Sequence, residues 1–400
     1  MHSVCQAFNA HSLTAYGTRY FDHLVAILHP VSLAILLEIS RHPVLSKNVR
    51  RVTISGEILG DNITPPANGD WSSHATLQKS VENSGLDHLV LVEVFRSLPN
   101  LRHVQIDVVS FGEPDHAGYW LDGIRCGRRH MIAPYKYREL DYYCSGYSHV
   151  YRTVLNALYT AGGYEKLKLS LQFWPFSADQ TAVSVIDLQS PAWKNGISRN
   201  LQQIYWCGPA APAWLRDLVH SAPAIEEFSY LRPRTTYTLP FDLPQRWPAL
   251  HKLRLHGVSV RHAEFLSCLR HHIATMGLLH LRLVSMSDGT WTENLHTIKL
   301  MSGLTELRLH ALLENTMYDH PTDKDPSETA INVRSPHGGK GIGAVLSALC
   351  GDLRTVRCSF GSMDFPYCVD LRRARETQNE LVVLRDGERQ LWEVDVGDGF

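Results

Sequence analysis

The sequence predicts an α/β fold, an irregular solenoid of strand–helix repeats about 25 residues long, with a helical cap at the N-terminus and a hairpin cap at the C-terminus. Two observations carry that expectation. First, a short apolar phrase recurs in phase through the C-terminal half: LHKLRLHGV from Leu250, LLHLRLVSM from Leu278 and LTELRLHAL from Leu304. Each copy has apolar residues at its first, fourth and sixth places, namely Leu250/Leu253/Leu255, Leu278/Leu281/Leu283 and Leu304/Leu307/Leu309. Second, amphipathic stretches with helical periodicity lie between the copies, as in WLRDLVHSAP after Ala213 and HAEFLSCLRHH after Arg261.

Alternation over so short a segment argues for a strand. A strand plus a helix every 20 to 29 residues is the leucine-rich-repeat signature. A single unit of this kind cannot bury its apolar face alone, so neighbouring units must stack. Looser copies begin at Leu201, Ile225 and Leu353, and degenerate ones at Val49, Leu101 and Tyr164. The wide gaps between the upstream copies imply long insertions, placed at about 56–85 and 111–148. A third insertion, at about 314–340, is polar and punctuated by Pro, and is expected to be flexible. The Asn or Cys that usually follows such strands is replaced by Val258, Met286 and Leu312, which predicts an irregular horseshoe.

The organisation follows from these limits. Residues 1–48 form an N-terminal cap, with alternation at Leu24–Leu28 for a strand and Pro30 opening a helix that His42-Pro43 ends. Residues 49–370 form the repeat array. Residues 371–400 form a capping helix, Leu371 to Glu380, and then a hairpin whose turn is Asp386-Gly387, a pair that tolerates positive φ.

Composition narrows the function classes. The 39 Lys+Arg balance 40 Asp+Glu, which gives no global pull toward nucleic acid or a membrane surface. The eight cysteines form no C-x-x-C pair and read as reduced, mostly buried thiols. The most apolar stretch, Leu24–Leu37, is broken by His29-Pro30 and is too short to span a bilayer. No signal peptide is recognisable, so a cytoplasmic or nuclear location is expected.

No residue pattern proposes catalysis, a cofactor or a metal, and a non-enzymatic protein is expected. Pro336–Gly343 resembles a phosphate loop, but Lys340 is followed by Gly341 where Ser or Thr is required. Asp319, Asp323 and Asp325 lack the Gly and closing Glu of a calcium loop. His271-His272 has no partner at metal spacing, and Gly146-Tyr147-Ser148-His149 lacks the second glycine of a nucleophile elbow.

The repeat itself offers a binding face. In an L-x-L strand the residue between the leucines points outward, and in four copies that residue is Arg254, Arg282, Arg308 and Arg357. On adjacent strands these would form an arginine ladder, flanked by Lys252, His256, His280 and His310. Guanidinium forks suit carboxylate or phosphate, so the ladder would dock an acidic or phosphorylated protein segment. The other reading is that Arg is a soluble filler at exposed strand positions, with Glu227, Glu306 and Asp288 neutralising part of the row.

The N-terminal region resembles the fungal F-box proteins with degenerate leucine-rich repeats. Val4-Cys5-Gln6-Ala7-Phe8-Asn9 is similar to the phrase that ends their F-box. Ser32-Leu33, Ile39-Ser40-Arg41-His42-Pro43 and Val49-Arg50-Arg51-Val52-Thr53-Ile54 are similar to the linker that follows it. The resemblance implies a substrate-recognition subunit of an SCF-type ubiquitin ligase, whose F-box helices bind a Skp-type adaptor and whose repeats select a protein substrate. The family's leading Leu-Pro-x-Glu phrase has no counterpart ahead of Met1. Only an adaptor-side remnant at Val4, Cys5 and Phe8 is therefore expected, with adaptor binding where the missing segment is supplied. The alternative is a stand-alone leucine-rich-repeat scaffold without ligase coupling.

Overall fold

A computed structural model describes residues 12–13, 15–56, 71–107, 124–127, 147–173, 186–208, 213–231, 237–238, 247–288, 291–310, 313–314, 330–334, 368–370, 382–384 and 392–394. The chain divides into two compact units, Met1–Ile204 and Tyr205–Phe400. Both are α/β, with mostly parallel strands.

In the first unit, residues 15–20 are helical and lead into β1 (His23–Ile27). Every residue of β1 is buried, as its unbroken apolar run requires. Helix α1 (Pro30–Arg41) starts where Pro30 pre-sets a helical φ and where the His29 ring caps the first turn, Nδ1 accepting from the Val31 amide at 3.2 Å. Parallel strands β2 (Arg51–Ser55), β3 (His103–Asp107) and β5 (Lys168–Phe173) follow, and β4 (Ile124–Arg125) pairs with the free side of β1. The order is therefore β4-β1-β2-β3-β5.

Strand alternation puts Leu24, Val52, Val104 and Leu169 on one face, together with Ala26, Ile54, Ile106 and Leu171. That face is apolar and takes the helices. Helix α4 (Tyr147–Ala161) reaches it through Tyr151, whose ring stacks on Phe173 at 4.8 Å and whose hydroxyl donates to the Gln172 carbonyl. Helix α3 (Leu86–Ser97) packs between α1 and α4, burying Leu91, Val94 and Phe95, while α2 (Trp71–Ser84) lies against α1 and α3.

Two insertions thus contribute regular structure. The span 56–85 contains α2, and 111–148 contains β4, which extends the sheet.

Strand β6 (Leu201–Cys207) carries the boundary between the units. In the second unit come helix α5 (Ala213–Ser221), β7 (Glu227–Leu231), β8 (Tyr237–Thr238) and β9 (Lys252–Arg261). Helix α6 (His262–His271), β10 (Leu278–Asp288), helix α7 (Trp291–Lys299), β11 (Glu306–His310) and β12 (Leu313–Glu314) continue it. Strands β7, β9, β10 and β11 are parallel neighbours in that order.

Strands β2, β3, β9, β10 and β11 are entered through one recurring set of backbone hydrogen bonds. A tight turn brings the chain round: Leu98-Pro99-Asn100-Leu101, Trp247-Pro248-Ala249-Leu250 and Met301-Ser302-Gly303-Leu304 each close with an N–H to the carbonyl three residues back. Two successive amides then share one carbonyl of the preceding unit. Arg50 and Arg51 bond to Asp22, Arg102 and His103 to Arg50, His251 and Lys252 to Glu226, Gly277 and Leu278 to His251, and Thr305 and Glu306 to Gly277, all between 2.7 and 3.1 Å.

This geometry fixes the register, and it differs from the expected one. Arg254 lies opposite His280, not Arg282, and Leu253 lies opposite Leu279. The structural copy therefore starts at Met276, with Leu279 and Leu281 inward, two residues earlier than the leucines suggest. The first-unit copy expected from Tyr164 is displaced as well: Tyr164–Lys166 is a 3₁₀ turn, and Leu169 and Leu171 face the core. A slip of two preserves the inward–outward alternation, so hydrophobic pattern alone cannot detect it.

Strands β9 and β10 run past the sheet. Gly257, at φ 67°, reverses the alternation, so that Val258 and Val260 continue the buried side in place of the next odd-numbered residue. Beyond it β8 and β12 pair with the ends of β9 and β10.

Two C-terminal expectations change. Within the insertion expected to be flexible, β13 (Ala330–Arg334) pairs antiparallel with β11. The strands expected to form one hairpin take other partners. Strand β15 (Val382–Leu384) pairs with β14 (Cys368–Asp370), and β16 (Trp392–Val394) pairs in parallel with β13. Strand β13 supplies the ladder for β16 that the expected hairpin partner would have supplied. The repeat copy at Leu353, the helix at Leu371–Glu380 and the Asp386-Gly387 turn lie outside the described residues.

Among the described residues no helix is long and apolar enough to cross a membrane. Leu281 is fully buried between strands and helices. Leu281→Ala is expected to lower stability by about 2–5 kcal/mol and Gly257→Ala by about 1–2 kcal/mol, both read from urea unfolding.

Candidate functional site

In the second unit alternate positions of β7, β9, β10 and β11 align in three rows across the strands. One row is Glu227, Lys252, Leu278 and Glu306. The next is Ser229, Arg254, His280 and Arg308, and the third is Leu231, His256, Arg282 and His310. The expected arginine ladder is thus a checkerboard. In the second and third rows histidines and arginines alternate from strand to strand, and the arginines meet only on the diagonal. The physical reason is the two-residue register offset, which brings the LHKLRLH and LLHLRL phrases together His against Arg.

Neighbouring strands lie about 4.8 Å apart, so four arginines in line would crowd like charges at that spacing. Interleaved imidazoles relieve this. Arg282 is exposed, and Arg254, His256 and His280 are half-buried. Arg254 keeps 27% of its side chain exposed, enough to reach a ligand from the sheet surface.

Acidic groups hold one end of the face. Glu227 accepts from Lys252 Nζ at 2.5 Å and lies 4.0 Å from both Arg254 Nη1 and His251 Nε2. Lys252 is therefore committed to Glu227, while Arg254 only approaches it. Asp288 is turned elsewhere, its Oδ1 accepting from the His262 amide at 2.7 Å. Glu306 stands in register with Leu278 and Arg334, at the same end as Glu227. Arg357, Val4, Cys5 and Phe8 lie outside the described residues.

The corresponding face of the first unit has a different character, which the repeat pattern does not foretell. There the middle of the face is polar yet closed off: Thr53, Ser55, Gln105, Asp107 and Ser170 are all buried, while Arg51 and Lys168 at the strand starts are exposed. Their hydrogen bonds run diagonally from strand to strand. His23 Nε2 pairs with Thr53 Oγ1 at 2.8 Å. His103 Nε2 donates to Ser170 Oγ at 2.6 Å, and Ser170 donates to Gln203 Oε1 at 2.6 Å.

Asp107 accepts from the Gln105 amide at 2.7 Å. With the Gln172 nitrogen turned toward it, it accepts from that amide too, at 2.8 Å. The signal in the sequence is the polar set at alternate strand positions, His23, Arg51-Thr53-Ser55, His103-Gln105-Asp107 and Lys168-Ser170-Gln172. A binding face must admit a partner, and this one is filled by its own hydrogen bonds. The open strand face is that of the second unit.

Burial pushes the His103 imidazole down to about 4, helped by Arg51, His23 and Lys168 around it. His29 is lowered to about 4 by burial and by His74, whose Nδ1 lies 3.2 Å from His29 Nε2. Burial, with His271, likewise lowers His272 to about 4. The thiols of Cys126 and Cys268 are pushed up to about 12 by burial, which leaves them unreactive as nucleophiles. Among the described residues no group of three metal-ligating side chains is assembled.

No protein-family model matches the chain, and no curated protein matches it either.

Neutral burial of these histidines has a sign. Their native values lie below the ordinary value of 6.5, so the unfolded chain binds more protons between about 4 and 6.5. The stability they contribute is complete above pH 6.5 and is lost as the pH falls through about 4. Urea unfolding of the protein is expected to show this acid-side loss, and His103→Gln is expected to shallow it. An unchanged slope in that variant would mean that His103 contributes nothing to the loss.

Proposed function

We propose that this chain is a non-enzymatic protein-interaction module, a leucine-rich-repeat-like solenoid related to F-box substrate receptors of SCF-type ubiquitin ligases. Its open strand face around Arg254, His280, Arg308, His256, Arg282 and His310 docks an acidic or phosphorylated segment of a substrate protein. Ubiquitin transfer is then carried out by other subunits.

The single observation that carries this reading is the register, which brings the partly exposed Arg254, His256, His280 and Arg282 together on β9 and β10, with Arg308 and His310 in register on β11. Guanidinium forks bind carboxylate and phosphate oxygens in pairs, and the interleaved imidazoles add donors without adding fixed charge. The repeated strand entry, with two amides on one carbonyl of the preceding unit, supports the solenoid reading. The buried β1 and the Pro30-started helix follow one another as the F-box linker resemblance implies.

The experiment isolates the full-length protein from its own cells under mild salt and identifies what accompanies it. A Skp-type adaptor and a cullin are expected, together with substrate proteins. In the double variant Arg254→Glu/Arg282→Glu the adaptor is expected to remain while acidic or phosphorylated substrates are lost by tenfold or more, the cost of about 1.4 kcal/mol. Absence of the adaptor would reject the ligase reading and leave a scaffold. Substrates retained by the charge-reversed variant would reject the docking face.

A further inference from the structure

Three helices of the first unit meet at a cluster that the binding face does not use. Asp87 stands in the first turn of α3, after Gly85, which enters the helix at φ 68°. Its carboxylate is 1% exposed. Oδ1 accepts from the His88 amide at 2.8 Å, and Oδ2 pairs with His149 Nε2 on α4 at 2.6 Å. Thr153, one turn further along α4, places Oγ1 3.2 Å from the same nitrogen. Because aspartate and hydroxyl share one nitrogen, the trio is no proton relay, and its chemistry is that of a clasp. Glu82, near the end of α2, turns Oε1 into the protein, where among the described residues that atom has no hydrogen-bond partner.

We propose that Glu82, Asp87 and His149 form a proton-dependent clasp that holds α2 against α3 and α4, tight when His149 and Glu82 carry protons and loosened when they lose them.

The charges around the cluster are few: Asp87 from α3, Glu82 and Lys79 from α2, and Arg152 from the same helix as His149. The hydrogen bond to Asp87 holds the His149 imidazole above its ordinary value, against burial. Burial raises the Glu82 carboxyl, with Asp87 adding to the rise and His149 and Lys79 opposing it. Both groups therefore take up protons on folding. For each, the stabilisation is complete below its unfolded value, 6.5 for the imidazole and 4.5 for the carboxyl, and is lost as the pH rises through the native one. The sense is opposite to that of the buried neutral histidines, whose stabilisation is lost as the pH falls.

A protonated Glu82 removes a buried negative charge that faces Asp87. A protonated His149 satisfies Asp87 as an ion pair, and an aspartate near a helix N-terminus gains further from the helix dipole. When both protons leave, two carboxylates and a neutral ring share the junction, and α2 packs more lightly on α1 and α3 than α3 does on α1 and α4.

Hydrogen–deuterium exchange of the whole protein at pH 6 and pH 8, corrected for intrinsic rates, tests this. Protection of the 73–84 amides is expected to fall severalfold, up to about tenfold, between the two pH values, and more than that of the β10 amides in the other unit. His149→Gln is expected to shrink the fall, Glu82→Gln, which keeps the shape of the protonated acid, to raise the protection of 73–84 at pH 8, and the double variant to abolish the fall. Equal protection of 73–84 at both pH values, or an undiminished fall in the double variant, would overturn the clasp. Should the variants fold poorly, the imidazole resonance of His149 in the unaltered protein decides. Titration above 6.5 supports the clasp, and titration at or below 6.5 overturns it.

Discussion

The arrangement rests on a backbone fork at the entries of β2, β3, β9, β10 and β11, in which two consecutive amides share one carbonyl of the preceding repeat. Asp22, Arg50, Glu226, His251 and Gly277 supply that carbonyl in turn. The fork costs little in sequence, since side chains are not needed to make it, and it accepts Asp, Arg, Glu, His or Gly equally. What it demands is a chain that arrives at a fixed height, which the Pro- or Gly-containing turns before Leu101, Leu250 and Leu304 provide. Once the first pair of residues is seated, parallel pairing carries the alignment along the strand. The inward leucines then meet inward leucines, and the outward residues fall into rows. Both the core and the candidate docking face are consequences of one entry geometry.

The two units use the same alternation for different ends. In the first, the polar face is consumed internally, with His103, Ser170 and Gln203 in a chain and Asp107 fed by glutamine amides. Such a network is favourable only when its members are satisfied, because an unpaired buried polar group costs more than a made hydrogen bond returns. It makes the strands specific for one another. In the second unit the equivalent positions hold long cationic side chains that remain partly exposed, Arg254 and Arg282 above all. A residue that stays exposed on a sheet contributes little to stability, so its presence is better explained by what it meets. The same construction thus gives a closed wall in one unit and an open surface in the other.

Much of this was legible in the sequence, and the reasons for the rest are physical. The L-x-L phrases marked β7, β9, β10 and β11, because alternation is strong where one face is buried. The helices after Ala213 and Arg261 showed through their periodicity. Register did not show: Leu278, Leu279, Leu281 and Leu283 permit two phases that bury equally well, and the choice is made by turn and fork, which are backbone events. Helix α2 was hidden behind a Pro/Gly/Asn-rich stretch and has a weakly apolar composition. Strand β4 is two residues long, too short for any periodic signal. The Asp87–His149 pair joins residues 62 apart through tertiary packing, and nothing local in Gly146–His149 announces it.

The docking face depends on the register that sets Arg254 beside His280, and cysteine cross-linking reads that register most directly. Parallel neighbours in register bring α-carbons within the span a disulfide bridges, whereas a two-residue offset places them too far apart. With Arg254→Cys/His280→Cys, mild oxidation followed by mass spectrometry of the linked peptides is predicted to give an efficient cross-link. With Arg254→Cys/Arg282→Cys it is predicted to give none. The reverse outcome, a link between positions 254 and 282 and none between 254 and 280, would restore the straight arginine ladder and contradict the interleaved face.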